Sequence, residues 1–494
     1  MKNRSIILSA AVLFAMASAY EAKAQVGTPY IHDPSNIMLC NGKYYTYGTG
    51  GGGLWSPDGW HWSAIEAPEG VNARPGGGAA PDALKIGDRY LIGYSATGGG
   101  LGGGHAGRIL TMWNNDLDPN SKNFGYTEAV EVAHSEFDED CDAIDIGLFL
   151  DPTTGRMFAT FGTYFGFIRQ CELDPKTGYR KEGTKDIDVA VDCEASDMIY
   201  HNGWYYLLGT HGTCCDGVNS TYNIVVGRSR NVNGPFIDNV GRSMIEGGGK
   251  MVINAENRLI GPGHFGRYIE DEGIEKMSFH WEADMDQSGR SVLAIRPLLW
   301  KNGWPVAGEA FQSGTYEIQS ERSGYALELA TDFVRMNSGM GMFGRGNTDQ
   351  PVVKVEQQKL SEVIDTWPTG NAEVRNGYYM GRPNQRWSII PVDEAGGYVG
   401  GQYYKILIEG TNRALAATAA CEVEAVAEYT GADEQLWRIE QCTDGTFRIM
   451  PKAIPGTSEK LALVSLGDCK PTLAPFDFNN DNCKWAFKCF TQIK

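Results

Sequence analysis

A unit of apolar strand, tight turn and aromatic strand recurs five times in the first three hundred residues. It restricts the chain to a few all-β architectures. The copies are NIMLC-NGK-YYTYGTG (36–50), DALK-IGD-RYLIGYSA (82–96), DIGLFL-DPTTG-RMFATFGTYF (145–165), SDMIY-HNG-WYYLLGTHG (196–212) and KMVI-NAEN-RLIGPGH (250–264). Each reads as a hairpin of β-formers around Asn-Gly, Gly-Asp or Asp-Pro turn signals. The turns begin near 41, 86, 151, 201 and 254, giving spacings of 45, 65, 50 and 53 residues. That is the length of a four-stranded propeller blade, whereas a β-sandwich turns every 8–12 residues or about that. Five copies predict a five-bladed β-propeller. The 63 Gly and the 11% aromatic content agree with an all-β class.

The acids fall at related places in this repeat. Asp33 lies just before the first hairpin, Asp82 opens the second, Asp145 opens the third and Glu194 stands just before the fourth. The innermost strands of a propeller run along its axis, so residues at their starts gather at one end of the channel. Asp33, Asp145 and Glu194 are expected to converge there. Inverting hydrolysis of a glycosidic bond needs one carboxylate to activate water and one carboxylic acid to protonate the leaving oxygen. A third carboxylate raises the pKa of the acid and keeps it protonated. Taken singly, any of these residues reads more simply as a turn or cap; the shared repeat position is what singles them out.

The segments HDPSNIMLCNGKYYTYGTG, APDALKIGDRYLIGYSA, CDAIDIGLFLDPTTGRMFATFGTYFGFI, DCEASDMIYHNGWYYLLGTHGTCCDGVNSTYNIVVGRS and IGPGHFGRY, together with the later PLLWKNGWPV, resemble glycoside hydrolase family 43 over residues 28 to about 306. Within it they resemble the endo-1,5-α-L-arabinanases most. The resemblance implies a five-bladed propeller and an inverting mechanism, with Asp33 as general base, Glu194 as general acid and Asp145 tuning the pKa of Glu194 and orienting it. It implies action on α-L-arabinofuranosyl linkages of a plant cell-wall polysaccharide. The alternatives are an exo-acting α-L-arabinofuranosidase, a β-xylosidase of the same family, or a non-catalytic carbohydrate-binding protein. His264, in Gly261-Pro262-Gly263-His264, matches the histidine of the family's axial site, which holds calcium through waters; a purely structural histidine is the other reading. Calcium prefers oxygen ligands, so one histidine suits a mostly aqueous shell. No organic cofactor is expected. Asp142, where the family usually has Asn, is a further candidate substrate contact, with Tyr164, Phe165 and Asn219. Ile146 and Ser196 also depart from the family pattern. The glycine-rich stretches 50–53 and 98–104 replace loops that shape the arabinanase groove, so the endo or exo mode stays open. They lack the Lys-Ser/Thr ending of a phosphate-binding loop.

A second repeat occupies the C-terminal third. Gln385-Arg386-Trp387, Gln435-Leu436-Trp437 and Cys483-Lys484-Trp485 place Trp at spacings of 50 and 48, each followed by a short strand pattern. Gln-x-Trp at this period resembles the ricin-type β-trefoil, covering about 314–494, with the Gln lost from the third copy and a long insertion near 331–380. The expected organisation is a signal peptide (1–24), a propeller (25–312) and a trefoil (313–494). Ricin-type modules often bind carbohydrate, which makes this one a candidate carbohydrate-binding module; the Gln and Trp of the motif are core residues and support the fold rather than the binding.

Residues 1–24 have a positive start at Lys2 and Arg4, an apolar run from Ser5 to Ala19, and Ala22-Lys23-Ala24 as a cleavage signal, so a secreted or periplasmic protein is expected. No other segment is long and apolar enough to span a membrane. Cleavage there would take the formal charge of −18 to about −20, which disfavours nucleic acid and anionic lipid and suits a neutral polysaccharide. The 11 Cys include no CxxC pair, so a structural zinc site is not expected. Adjacent Cys214 and Cys215 read either as two buried thiols or as a vicinal disulfide. Asn219-Ser220-Thr221 fits the glycosylation pattern but also lies inside the family motif. The sequence says nothing of oligomeric state.

Overall fold

The computed structural model describes residues 25–65, 78–97, 106–331, 359–467 and 470–489. Residues 1–24, expected to be a signal peptide, the glycine-rich stretch 98–104 and most of the insertion near 331–380 lie outside them.

The described residues between 25 and 307 form five sheets in sequence order, each built on four consecutive antiparallel strands; Val26–Gly27 adds to the first, parallel to His61–Ile65. The innermost strands are Met38–Cys40, Ala79–Ile86, Gly147–Leu150, Glu194–His201 and Leu259–Asp271. Turn chemistry builds the hairpins as expected. Asn41 and Asn202 adopt positive φ (50° and 48°), each followed by a positive-φ Gly, as a tight hairpin turn requires. The fifth hairpin differs from the expectation. Lys250–Ile253 pairs with Asn223–Ser229 as the outer strand of the fourth blade. The fifth blade's hairpin joins Leu259–Asp271 to Ile274–Asp284 across Glu272 and Gly273. NAEN thus joins two blades, because Val252 and Ile253 complete the apolar layer of the fourth.

Apolar layers fill the space between successive blades. Tyr45, Tyr47, Tyr90 and Ile92 join the first to the second, Leu91, Trp113, Leu148 and Phe161 the second to the third. Ile31, Ile37, Leu54 and Trp62 meet Leu293 and Ile295 to close the ring between first and last. Backbone bonds support this closure: Leu293 N–H donates to Pro29 O at 2.8 Å. Trp60 and Trp62 are buried core residues.

Fourteen further strands run from Gly314–Ser320 to Trp485–Cys489; twelve make the three four-stranded units of a β-trefoil, and Gly397–Tyr398 with Gly401–Gln402 form a separate hairpin. Trp387, Trp437 and Trp485 are fully buried. Their Nε1–H groups donate to Leu327, Leu415 and Leu463 carbonyls at 2.8, 2.9 and 2.8 Å, one bond per unit. Gln385 and Gln435 accept from the backbone N–H of Met380 (2.8 Å) and Thr430 (2.7 Å). Cys483 occupies the third such position and is buried. The trefoil is docked on the propeller. Gly400 N–H donates to Gly59 O at 3.1 Å, and Val399 joins the ring-closing apolar layer. Beside it, Lys276 and Asp271 of the fifth blade meet Glu440, Arg438 and Arg448 in a buried charge cluster.

Candidate active site

In each blade a non-glycine residue with positive φ lies shortly before or within the inner strand: Asp33 (54°), Ala80 (39°), Asp145 (58°), Ala195 (49°) and His264 (53°). Such backbone is uncommon outside glycine and is held here by the surrounding ring. Bulges in the inner strands of the second, fourth and fifth blades accompany it. Asp33 and Asp145 therefore share a repeat position, and Glu194 sits one residue ahead of it. The counterpart of Asp33 in the second blade is Ala80, not Asp82. Asp82 is structural: its buried carboxylate accepts from Asn36 N–H (3.1 Å) and Leu148 N–H (2.7 Å), tying three inner strands together.

The three acids have been driven to different protonation preferences. Asp33 accepts from Thr49 Oγ1–H at 2.6 Å. It lies 2.9 Å from His32 Nδ1 and 3.3 Å from His264 Nδ1. Burial works to raise its pKa, but His32 and His264 outweigh it and hold the carboxyl well below the usual range. Asp145 is pinned by Ser95 Oγ on its N–H (3.1 Å) and accepts from Ala195 N–H at 3.2 Å. Burial lifts it to about 7, with His264 opposing and Asp33 adding to the rise. Glu194 accepts a hydrogen bond from the Tyr222 hydroxyl. Burial, then the charges of Asp145 and Asp33, push it up to about 9. One acid is thus kept ionised and another kept protonated, the division that acid–base hydrolysis requires.

His32 is held between Asp33 and Glu282, with Nε2 at 3.1 Å from Glu282 Oε1. Burial disfavours its charge, yet Asp33 and Glu282 raise it to about 11. His280 stacks on it with ring centroids 4.5 Å apart and is kept neutral by burial and by the charge of His32. Its Nδ1 accepts from Asp33 N–H at 3.0 Å, so Nε2 carries the proton and faces Glu282 at 3.4 Å. Sequence reasoning passed over His280, Glu282 and Tyr222. The first two stand on the second strand of the fifth blade, where the hairpin had been placed elsewhere. Tyr222 lay inside a quoted motif, but nothing in its spacing ties it to Glu194.

The other candidates divide. His264 is buried beside Asp33, its backbone N–H donating to Thr210 Oγ1 at 2.8 Å. Tyr164 is half-buried, and burial, with a contribution from nearby Glu194, raises its phenol. Phe165 is 58% exposed and packs on Tyr164 with centroids 4.4 Å apart. Asp142 is buried and accepts from Thr163 Oγ1 at 3.3 Å. Asn219 is exposed at the end of the short turn Gly217–Asn219. Cys214 and Cys215 form a disulfide beside His32 and Glu282.

Comparison with known proteins agrees with this geometry. The extracellular endo-alpha-(1->5)-L-arabinanase 1 of Bacillus subtilis (strain 168) is 34% identical over 185 residues, 37% of this chain and 55% of that protein. The match therefore spans little more than half that relative's length. The extracellular exo-alpha-(1->5)-L-arabinofuranosidase ArbA of Cellvibrio japonicus (strain Ueda107) is 28% identical over 247 residues, 47% of this chain and 70% of that protein. The crystal structure of an exo-1,5-alpha-L-arabinanase from a bovine ruminal metagenomic library superposes with a TM-score of 0.51 at 28% identity, covering 57% of this chain and 97% of that one. Residues 353–457 match a ricin-type beta-trefoil lectin domain-like model. Residues 26–305, all five blades and every acid of the channel end, match the model of glycosyl hydrolases family 43, and the chain accordingly belongs to that family of O-glycosyl hydrolases.

Proposed function

We propose that the protein is a secreted inverting hydrolase of α-L-arabinofuranosyl linkages, acting on α-1,5-arabinan of plant cell walls. The observation that carries this reading is the split among the three acids: Asp33 held ionised, Glu194 held protonated, and Asp145 between them in preference. Asp33 takes a proton from water as the water attacks the anomeric carbon. Glu194 gives its proton to the departing oxygen. Asp145 raises the pKa of Glu194 by its charge, and its bond to Ala195 N–H fixes the strand that carries the acid. The names of the relatives supply the substrate class.

Calcium at His264 is part of the same proposal. A single buried imidazole, with Asp33, Asp145 and Asp82 acting on it through charge, suits an ion held mostly by water. When bound, the ion would supply positive charge at the channel axis. Chelation followed by an activity assay tests it.

The experiment is incubation with linear α-1,5-arabinan and sizing of the early products, with NMR of the anomeric proton to read stereochemistry. A ladder of oligosaccharides with inverted anomers is the expected outcome. A single short product identifies the exo mode, which the names of two relatives favour. Binding to arabinan without turnover overturns the reading in favour of a carbohydrate-binding protein.

A further inference from the structure

The disulfide at the edge of the acid cluster belongs to a group with a second chemistry. Cys214 Sγ, Cys215 Sγ, a ring nitrogen of His32 and a carboxylate oxygen of Glu282 all lie within 4.8 Å of one another. We propose that reduction of Cys214–Cys215 creates a four-donor site, two thiolates with His32 Nε2 and Glu282, for a zinc-like dication.

Four observations carry this. The donor set is two sulfurs, one nitrogen and one oxygen, the mixture that tetrahedral zinc takes. Metal–ligand lengths of about 2.0–2.3 Å imply ligand-to-ligand edges of roughly 3.3–3.8 Å. His32 Nε2 is 3.1 Å from Glu282 Oε1 and 4.0 Å from Cys215 Sγ, so these two edges need only small adjustments, and the two sulfurs move apart once their bond is reduced. His32 is also oriented as a ligand should be. Its Nδ1 faces the Asp33 carboxylate at 2.9 Å, which leaves Nε2 for the site, and a carboxylate behind a metal-binding histidine fixes the ring and strengthens the ligand.

The loop is positioned by bonds independent of the sulfur–sulfur link. Cys215 N–H donates to Glu282 Oε1 at 3.3 Å, Ser220 Oγ–H to Thr213 O at 2.8 Å, and Thr221 N–H to Thr213 Oγ1 at 3.1 Å. Glu282 is buried on the rigid strand Ile274–Asp284, whereas Cys215 is exposed and open to a reductant.

The chemistry balances with an external dithiol. It passes two electrons and two protons to the disulfide, leaving as a cyclic disulfide while Cys214 and Cys215 become thiols. The dication then displaces the two thiol protons and the proton on His32 Nε2. Occupancy would tie the loop to His32 directly beside Asp33, so hydrolysis should become zinc-sensitive only in reducing conditions.

The test uses the full-length protein, oxidised or reduced with a dithiol that is then removed. Zinc is added before iodoacetamide, and alkylation is mapped by peptide mass. Zinc should slow alkylation of Cys214 and Cys215 by about tenfold or more. Cobalt added to the reduced protein should show thiolate-to-metal absorption at one equivalent. That absorption should be absent from the oxidised protein and from the Cys214→Ser/Cys215→Ser variant. Equal alkylation with and without zinc overturns the proposal, as does the same cobalt signal in oxidised protein. The alkylation experiment needs no variant, so a folding defect in the double substitution leaves the answer intact.

Discussion

Replacing Glu194 with Gln removes one proton and almost no volume. The Tyr222 hydroxyl can still donate to the amide oxygen, so the fold should hold. The structure sets the size of the effect. Glu194 lifted from 4.5 to about 9 corresponds to roughly 6 kcal/mol against ionisation. A glutamate at its ordinary value would keep its proton at pH 7 in only about one molecule in 300. Burial and charge at this position therefore keep one proton on Glu194, and Gln has none to transfer. General acid catalysis is worth about 10²–10⁴ in rate, or roughly 3–5 kcal/mol of barrier. Glu194→Gln should lose that much on arabinan, whose leaving sugar alkoxide needs the proton. It should lose much less on an aryl arabinofuranoside with an acidic phenol, which departs unprotonated. The assay is kcat on both substrates, with thermal unfolding to establish that the variant is folded. A folded variant keeping more than about a tenth of wild-type activity on arabinan, or equal losses on both substrates, would refute the assignment of Glu194 as the acid.

The remaining predictions follow from the same electrostatics and packing. The pH–rate profile should be bell-shaped, rising as Asp33 ionises well below the usual carboxylate range and falling as the coupled Asp145–Glu194 pair ionises between about 7 and about 9; a flat alkaline side counts against the pair. Asp145→Asn removes a negative neighbour, so the alkaline limb should move to lower pH, and an unchanged limb would deny its tuning role. Tyr222→Phe removes a donor that favours the ionised Glu194, so the same limb should move to higher pH with the acid limb unchanged. Glu440→Ala leaves Lys276, Arg438 and Arg448 without their shared buried partner and should cost about 3–5 kcal/mol in denaturant unfolding. The Glu440 carboxyl is held far below its unfolded value, so its contribution should be present in full above about pH 5 and lost as pH falls. A loss under about 1 kcal/mol in Glu440→Ala would show that the cluster does not hold the trefoil on the propeller.

The sequence by itself determined four of the five hairpins, the five-part ring and the trefoil, and it singled out the three acids as candidates. The reason is that these signals are local. Asn41-Gly42 and Asn202-Gly203 set their turns within a few residues, and Trp387, Trp437 and Trp485 recur because each unit of the trefoil needs one indole bonded to a leucine carbonyl. The tertiary structure decided what locality cannot reach. The fifth hairpin moved because Val252 and Ile253 are claimed by the fourth blade. Asp82 and Asp33 look alike in sequence, yet one ties strands together and the other faces the channel, since a shift of two positions along an inner strand changes which neighbours a side chain meets. The protonation of Asp33, Asp145 and Glu194 depends on burial and on His32, His264 and Tyr222, brought together from four blades. Likewise Cys214, Cys215, His32 and Glu282 have no spacing that marks a site. They become neighbours only because the ring closes between its first and last blades.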